Sequence, residues 1–410
     1  MSRIENGPPI HNLDTLIRWA QILRIPAQHL WFDLPGERRN GSVVMGGGGG
    51  GVGVPDGRLL VVEWTPESTT SLLEMVTAEG LEITPAVEAR LAHEWLVAEP
   101  PQVVEVGAGR RIGKELIGRV ELRVKQLRHM DDFVGGHDLH ELVERELCAT
   151  ICLLKEAAYS EALGKRLLTA VGELCQLAGW VAADAGLHDV AQRYHVSGIH
   201  AAYAADDVPL AAHLISWLSY LCSYMHNPHE AVLLAQTAFA GARGRASATS
   251  LALFQQRIAW ANARAGERKP TERALGVADE LYERRNPADD PHWVYWLSGD
   301  ELVAMAGRCY TELREPGRAE PLLKDALGRY DETFAREVAF YTSWLAECYV
   351  QSEDIDEAAR QASRTLVLST RVNSARAKER VRFLRRRLRP YRHVQAVVEF
   401  EGLWGEVGEG

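Results

Sequence analysis

No apolar run among the 410 residues approaches the ~20 needed to span a bilayer, and the first residues lack the charged-then-apolar pattern of a secretory leader. A cytoplasmic protein with no membrane partner is the expectation. Cysteine is sparse. Cys148, Cys152, Cys175, Cys222, Cys309 and Cys348 fall in helical pattern where small core residues belong, so they are expected reduced and buried. Cys148 and Cys152 stand one helical turn apart, but no second ligand pair lies near them to complete a zinc site. Positive charge is in deficit, 46 Lys and Arg against 56 Asp and Glu, so any nucleic-acid binding has to be local.

Catalytic signatures are missing too. There is no nucleophile elbow, metal-ligand cluster or dinucleotide fingerprint. The run Gly107 to Glu115 has the glycines and lysine of a phosphate loop. Its first glycine is misplaced, and Glu115 stands where Ser or Thr should follow the lysine. His140-Glu141-Leu142-Val143-Glu144 ends on Glu where a zinc-protease helix needs His, and His137 with His140 reads as a helix-capping turn. Neither an enzyme nor a cofactor is expected.

What is present is a helical period, clearest from Glu301 to Gln361. Gly307-Arg308-Cys309-Tyr310 is followed by Ala319, Leu323 and Ala326; 39 residues on, Ala346-Glu347-Cys348-Tyr349 is followed by Ala358, Ala359 and Ala362. A small residue, an aromatic three later and an alanine nine after that resemble the tetratricopeptide pattern of helix, tight turn, helix. The spacing exceeds the usual ~34 residues, so longer turns between repeats are expected. Aligned on the second-helix alanine, five units emerge at Ala191, Ala231, Ala274, Ala319 and Ala358, with Gly179, Ser219, Asn262, Gly307 and Ala346 twelve residues earlier. Five exceed the three that bury a continuous core. The fold class predicted is all-α, with a tetratricopeptide-like solenoid over residues 141–373.

Residues 37–58 contain six consecutive glycines, Gly46 to Gly51, and read as a flexible linker. Arg58 to Trp64 suggests one short strand with no evident partner, and residues 59–140 otherwise form a helical connecting region. Residues 374–410 are expected to be a capping helix and tail. In that helix Val381, Leu384 and Leu388 make the apolar stripe, while Arg380, Arg382, Arg385, Arg386, Arg387 and Arg389 face elsewhere. A charged outer face suits a solenoid end, although basic amphipathic helices also bind phosphates, acidic proteins or membrane surfaces.

Before the glycines, Ser2-Arg3-Ile4-Glu5-Asn6-Gly7, Leu13-x-x-Leu16, Trp19-Ala20 and Ile25-Pro26 resemble the back half of a Cro/repressor-type (XRE) helix-turn-helix domain over residues 1–36. A stray helical hairpin is the plainer reading. In that family this segment closes the recognition helix; the residues preceding it, which enter the major groove, are not in this chain. The resemblance leaves Arg3 and Asn6 as phosphate-positioning contacts and predicts weak operator binding by the chain as written. Asp131-Asp132-x-x-Gly135-Gly136, Leu177-Ala178-Gly179-Trp180, Asp184-Ala185-Gly186, Ala191-Gln192-Arg193-Tyr194 and Pro291-His292-Trp293-x-Tyr295-Trp296 resemble actinobacterial regulators in which such a domain leads into helical repeats.

The resemblance implies a transcriptional regulator, a homodimer in many relatives, whose solenoid binds a peptide, small-molecule or protein effector. The alternative is an interaction scaffold that does not bind DNA. Counting along the repeats places Gln176, Trp180, Asp184, His213, Ser216, Tyr220, Tyr224, Gln256, Arg308 and Glu347 on the effector groove. Two plainer outcomes compete: Trp180 and Tyr220 packing between repeats, and Arg308 pairing with Glu347.

Overall fold

The computed structural model describes residues 63–407, apart from 65, 79–82, 104–108, 133–135, 226, 332–333 and 373. The expected helix-turn-helix segment, with Arg3 and Asn6, and the glycine linker lie outside the described residues. Contacts divide the chain at Asp56, and everything below concerns the unit Gly57–Gly410.

The fold is all-α, with sixteen helices among the described residues. Four come first: α1 (Pro66–Thr77), α2 (Pro85–Val97), α3 (Lys114–Asp131) and α4 (Gly136–Glu156). Five antiparallel pairs follow: α5 and α6 (Glu161–Asp184, His188–Ala204), α7 and α8 (Val208–Tyr224, Pro228–Ala242), α9 and α10 (Ala248–Arg264, Arg268–Glu283), α11 and α12 (Gly299–Glu312, Pro316–Leu327), and α13 and α14 (Ala335–Gln351, Ile355–Val372). Two helices, α15 (Ala375–Leu388) and α16 (Gln395–Val407), end the array. The strand expected near Trp64 is two residues long. It is β1 (Glu63–Trp64), parallel to β2 (Gln102–Val103), whose brevity hid it from pattern reading; β3 (Arg110–Arg111) pairs likewise with β4 (Ala157–Ala158).

The pairs form where small residues let two backbones approach. Ala191, Ala231, Ala274, Ala319 and Ala358 are all buried. A Cβ added to Gly307 would lie 2.7 Å from Cγ of Leu323, and one on Gly179 would lie 2.5 Å from the His195 ring. Where serine replaces glycine, its hydroxyl finds a partner in the same gap: Ser219 Oγ donates to the Ala231 carbonyl at 2.7 Å.

One turn recurs between helices, at residues 185–187, 205–207, 265–267, 313–315 and 352–354. Its middle residue has positive φ: Gly186, Asp206, Gly266, Arg314 and Glu353. In each, that residue's N–H bonds the carbonyl three back and the next N–H bonds the carbonyl five back, as with Gly186 to Ala183 and Leu187 to Ala182. This is the left-handed helix-ending motif, which satisfies the last carbonyls while reversing the chain in three residues.

The N-terminal helices pack onto the pairs: α3 and α4 against α5, α1 against α4, and α2 against α8. Three sequence expectations need correction. The tail is helical from Gln395, and α16 packs on α14 with Val397 and Phe400 buried. Those residues, with Leu403 and Trp404, have helical spacing that a glycine-containing segment obscured. Arg380 does not face outward but donates to Ser343 Oγ at 3.1 Å and pairs with Glu347. Of the six free cysteines, Cys175, Cys222, Cys309 and Cys348 are buried, whereas Cys148 and Cys152 are only partly so.

A paired substitution tests the close-approach account. Gly307→Ala should destabilise the protein by about 1–3 kcal/mol through overpacking against Leu323. Gly276→Ala, at an exposed position of α10 with nothing near the added Cβ, should stabilise it by up to about 1 kcal/mol through helix propensity. Equal midpoints for the two variants in urea unfolding would refute the account.

Candidate functional site

Because each pair turns tightly and approaches closely, the first helices of all five pairs face one another around a cavity of about 520 Å³. Gln176, Leu177 and Trp180 enter it from α5, Trp217 and Tyr220 from α7, Arg257 from α9, Met305 and Arg308 from α11, and Phe340 and Tyr341 from α13. Arg128, Asp131 and Asp132 close one side from the end of α3. Tyr295 and Trp296 arrive from the turn before α11, and Arg376 from α15. The volume lies within the 300–1,000 Å³ range of small-molecule sites.

The wall is a run of aromatic rings interleaved with guanidinium groups. Trp180 lies 5.2 Å from Trp217 and Trp217 5.4 Å from Tyr220, and behind the wall in the core the run continues from Tyr220 to Trp260 at 6.3 Å and from Trp260 to Trp344 at 5.5 Å, centroid to centroid. Arg257 sits 4.5 Å from the Trp217 ring and 4.6 Å from the Tyr220 ring. Arg308 sits 4.4 Å from Trp260 and 4.7 Å from Phe340, and Arg376 4.0 Å from Phe340. A guanidinium is weakly hydrated and stacks on ring faces, so arginine is the cation that suits such a wall.

Most of these charges are tied. Arg336, at the start of α13, donates to both oxygens of Asp131 at 3.2 Å, and Trp180 Nε1 donates to the same carboxylate at 2.7 Å. Arg376 lies 3.7 Å from Asp184, whose Oδ1 also accepts from Ser374 Oγ at 2.9 Å. Arg128 donates to Gln176 and lies 3.7 Å from Glu173. Tyr330 and Tyr341 both donate to Glu301, and the Tyr295 hydroxyl donates to Asp132 at 2.7 Å.

Tyr220 and Tyr224 share a hydrogen bond at 3.0 Å, and Arg308 donates to both hydroxyls, at 3.2 and 3.1 Å. Burial alone would push the Tyr220 phenol up. The guanidinium groups of Arg308, Arg376 and Arg257 outweigh burial and pull it below the ordinary tyrosine range, while its neighbour Tyr224 is pushed up. Burial, followed by the charge of Arg257, lowers the His195 imidazole to about 3. Burial with the charges of Arg128 and Arg257 likewise lowers His213 well below its usual value. Both imidazoles are therefore neutral, and both of their nitrogens lack hydrogen-bond partners.

Of the ten groove residues read from the sequence, Gln176, Trp180, Tyr220 and Arg308 line the cavity. Tyr224 touches it only through Tyr220 and Arg308. Asp184 stands behind Arg376, and Ser216 donates within its own helix to the His213 carbonyl at 2.7 Å. His213 is stacked on Trp293 at 4.1 Å. Gln256 is buried without a hydrogen-bond partner. Glu347 pairs with Arg380 and Arg308 bonds the tyrosines, so the alternative Arg308–Glu347 bridge does not form.

Several lining residues escaped the sequence reading. Arg257 is the immediate neighbour of Gln256, one helical step, about 100°, away, so an alignment error of a single position exchanged them. Arg128, Asp131 and Arg376 come from outside the repeats, where no repeat alignment can point.

Neither a protein-family model nor a curated protein matches the chain. Among the described residues, no group of three or more His, Cys, Asp or Glu is placed to hold a metal ion, and no helix is long and apolar enough to cross a membrane. With rings, tied carboxylates and cations converging on one cavity, the arrangement is suited to binding.

Two measurements probe it. Asp131→Ala strands Arg336 with only Glu337 and Asp184 nearby, at 3.3 and 3.9 Å. It should destabilise the protein by about 3 kcal/mol in urea unfolding, the lower end of the loss seen when a buried pair is broken. In a spectrophotometric titration at 295 nm, one phenolate step should precede the other tyrosines, and Tyr220→Phe should abolish it. A Tyr220→Phe curve that overlays the wild type would refute the assigned downward shift.

Proposed function

We propose that the chain is a ligand-responsive transcriptional regulator whose cavity receives a small effector. One observation carries the effector half: an aromatic cavity of about 520 Å³ to which all five helix pairs contribute. A ligand there touches every repeat, so its binding energy bears on the spacing of the whole array. The regulator half is supported by the sequence resemblance to XRE-type proteins carrying tetratricopeptide-like repeats, and a cytoplasmic location belongs to the same reading. A peptide or a protein segment is a less comfortable occupant than a small molecule, because walls supplied from α3 and α15 limit the cavity to a volume typical of small-molecule sites.

The second reading, an interaction scaffold without DNA binding, is favoured by the net charge of −10, which opposes any general attraction to nucleic acid. One experiment separates the two. The full chain, expressed in and purified from its native cells, is used to select sequences from a random duplex library at low salt, with and without a small-molecule extract of those cells. Because the chain as written is expected to bind operators only weakly, a weakly enriched motif whose recovery changes with the extract is the expected outcome. No enrichment in either condition would remove the regulator and leave the scaffold.

A further inference from the structure

Around the cavity each cation except one has a polar partner. Arg128 has Glu173, Arg336 has Asp131, Arg376 has Asp184, Arg329 has Asp300, and Arg308 has the two tyrosine hydroxyls. Arg257 has none. Its residue is 3% exposed, its Nε is buried without a hydrogen-bond partner, and among the described residues no carboxylate comes within ion-pairing distance. What holds it is the pair of ring faces of Trp217 and Tyr220. Cation–π contacts offset part of the desolvation of a guanidinium but satisfy none of its five N–H donors.

Tyr220, Tyr224 and Glu301 favour the Arg257 charge through space, but among the described residues no carboxylate pairs with it directly. Of the six carboxylates on the cavity wall, five are engaged elsewhere, Asp131 by Arg336, Asp132 by Tyr295, Asp300 by Arg329, Glu301 by Tyr330 and Tyr341, and Glu337 by Arg336, and the sixth, Asp331, is not without a partner. Arg308 lies 5.8 Å from the same Tyr220 ring that Arg257 covers, so two guanidinium groups without carboxylates stand near one another. Buried ions are ordinarily retained only with compensation, and here the open space of the cavity is where compensation would enter.

We infer that the cavity takes a small organic anion, its carboxylate or phosphate oxygens received by Arg257 and its flat apolar body lying against the aromatic rings. The inference rests on reading the cavity as an effector site and adds the chemical class of the effector. A planar guanidinium with free donors matches the two oxygens of a carboxylate or phosphate. Trp180, Trp296, Tyr330 and Phe334, which line the cavity and are only partly buried or exposed, provide apolar surface against which a ring system lies.

The test uses two fluorescent probes of the same shape on the full chain: 8-anilinonaphthalene-1-sulfonate, which carries an anion, and N-phenyl-1-naphthylamine, which does not. Wild-type protein should bind the anionic probe about tenfold or more tightly than the neutral one, the advantage expected of charge-assisted hydrogen bonds. Arg257→Met should erase that preference without weakening the neutral probe, and Arg257→Lys should restore part of it. Competition by 1-naphthoate and by 1-naphthyl phosphate then distinguishes a carboxylate from a phosphate ligand.

Equal affinity of wild type for both probes, or a preference that survives in Arg257→Met, overturns the anion site and leaves the cavity as an effector site. Failure of both probes to bind overturns both readings. Melting gives an independent check, since removing an uncompensated buried charge should leave the ligand-free protein at least as stable. A drop of several degrees in Arg257→Met would make Arg257 a structural tie and sink the inference.

Discussion

The close approach of paired helices at Gly179, Ser219, Asn262, Gly307 and Ala346 is the constraint on which the other features depend. Gly179 and Gly307 put no side chain in the gap, Ser219 bonds across it, Ala346 adds only a methyl group, and Asn262 turns its amide onto its own helix at the Ile258 carbonyl, so the second helix lies tight against the first. The orientation of each first helix is thereby set. Five first helices set in this way present their inner faces to a common space, and the residues on those faces become the cavity wall. Three-residue left-handed turns serve the same end by leaving little slack between helices.

Within that frame, the chemistry of the wall follows from desolvation. Guanidinium groups are held where water is scarce, so they require ring faces, carboxylates or hydroxyls. Asp131 illustrates the economy of the arrangement. One carboxylate takes two donors from Arg336 and the indole N–H of Trp180, and in doing so positions a cation and an aromatic plate together. Arg308 does the same for two phenols, drawing Tyr220 towards ionisation while Tyr224 keeps its proton.

The helical class and the pairing of helices were legible in the sequence, because a small residue and an alanine twelve positions later have a direct steric meaning. The buried alanines at 191, 231, 274, 319 and 358 stand where that spacing puts them. The cavity was legible only in part. Trp180, Tyr220 and Arg308 each follow directly after the small residue that marks a first helix, so alignment finds them. Arg257 lies five positions before Asn262, on a stretch where Gln256 is an equally polar neighbour, and one-dimensional pattern cannot decide which of the two turns inward. Arg128, Asp131 and Arg376 belong to helices with no place in the repeat. Their presence at the site is a tertiary fact, carried by contacts between segments far apart in sequence.

Those distant contacts alter how the array holds together. In an open solenoid each repeat touches only its neighbours, and stability is a sum of local terms that allows the ends to fray. Here Asp131 is bonded to Arg336 across 205 residues and Asp184 to Ser374 across 190, so the start of the array is tied to its end. The chain is linked as a closed loop of neighbours, in which opening any one junction must also strain the tie. Loss of structure in such a loop is collective, and the cavity persists or disappears with all five pairs at once.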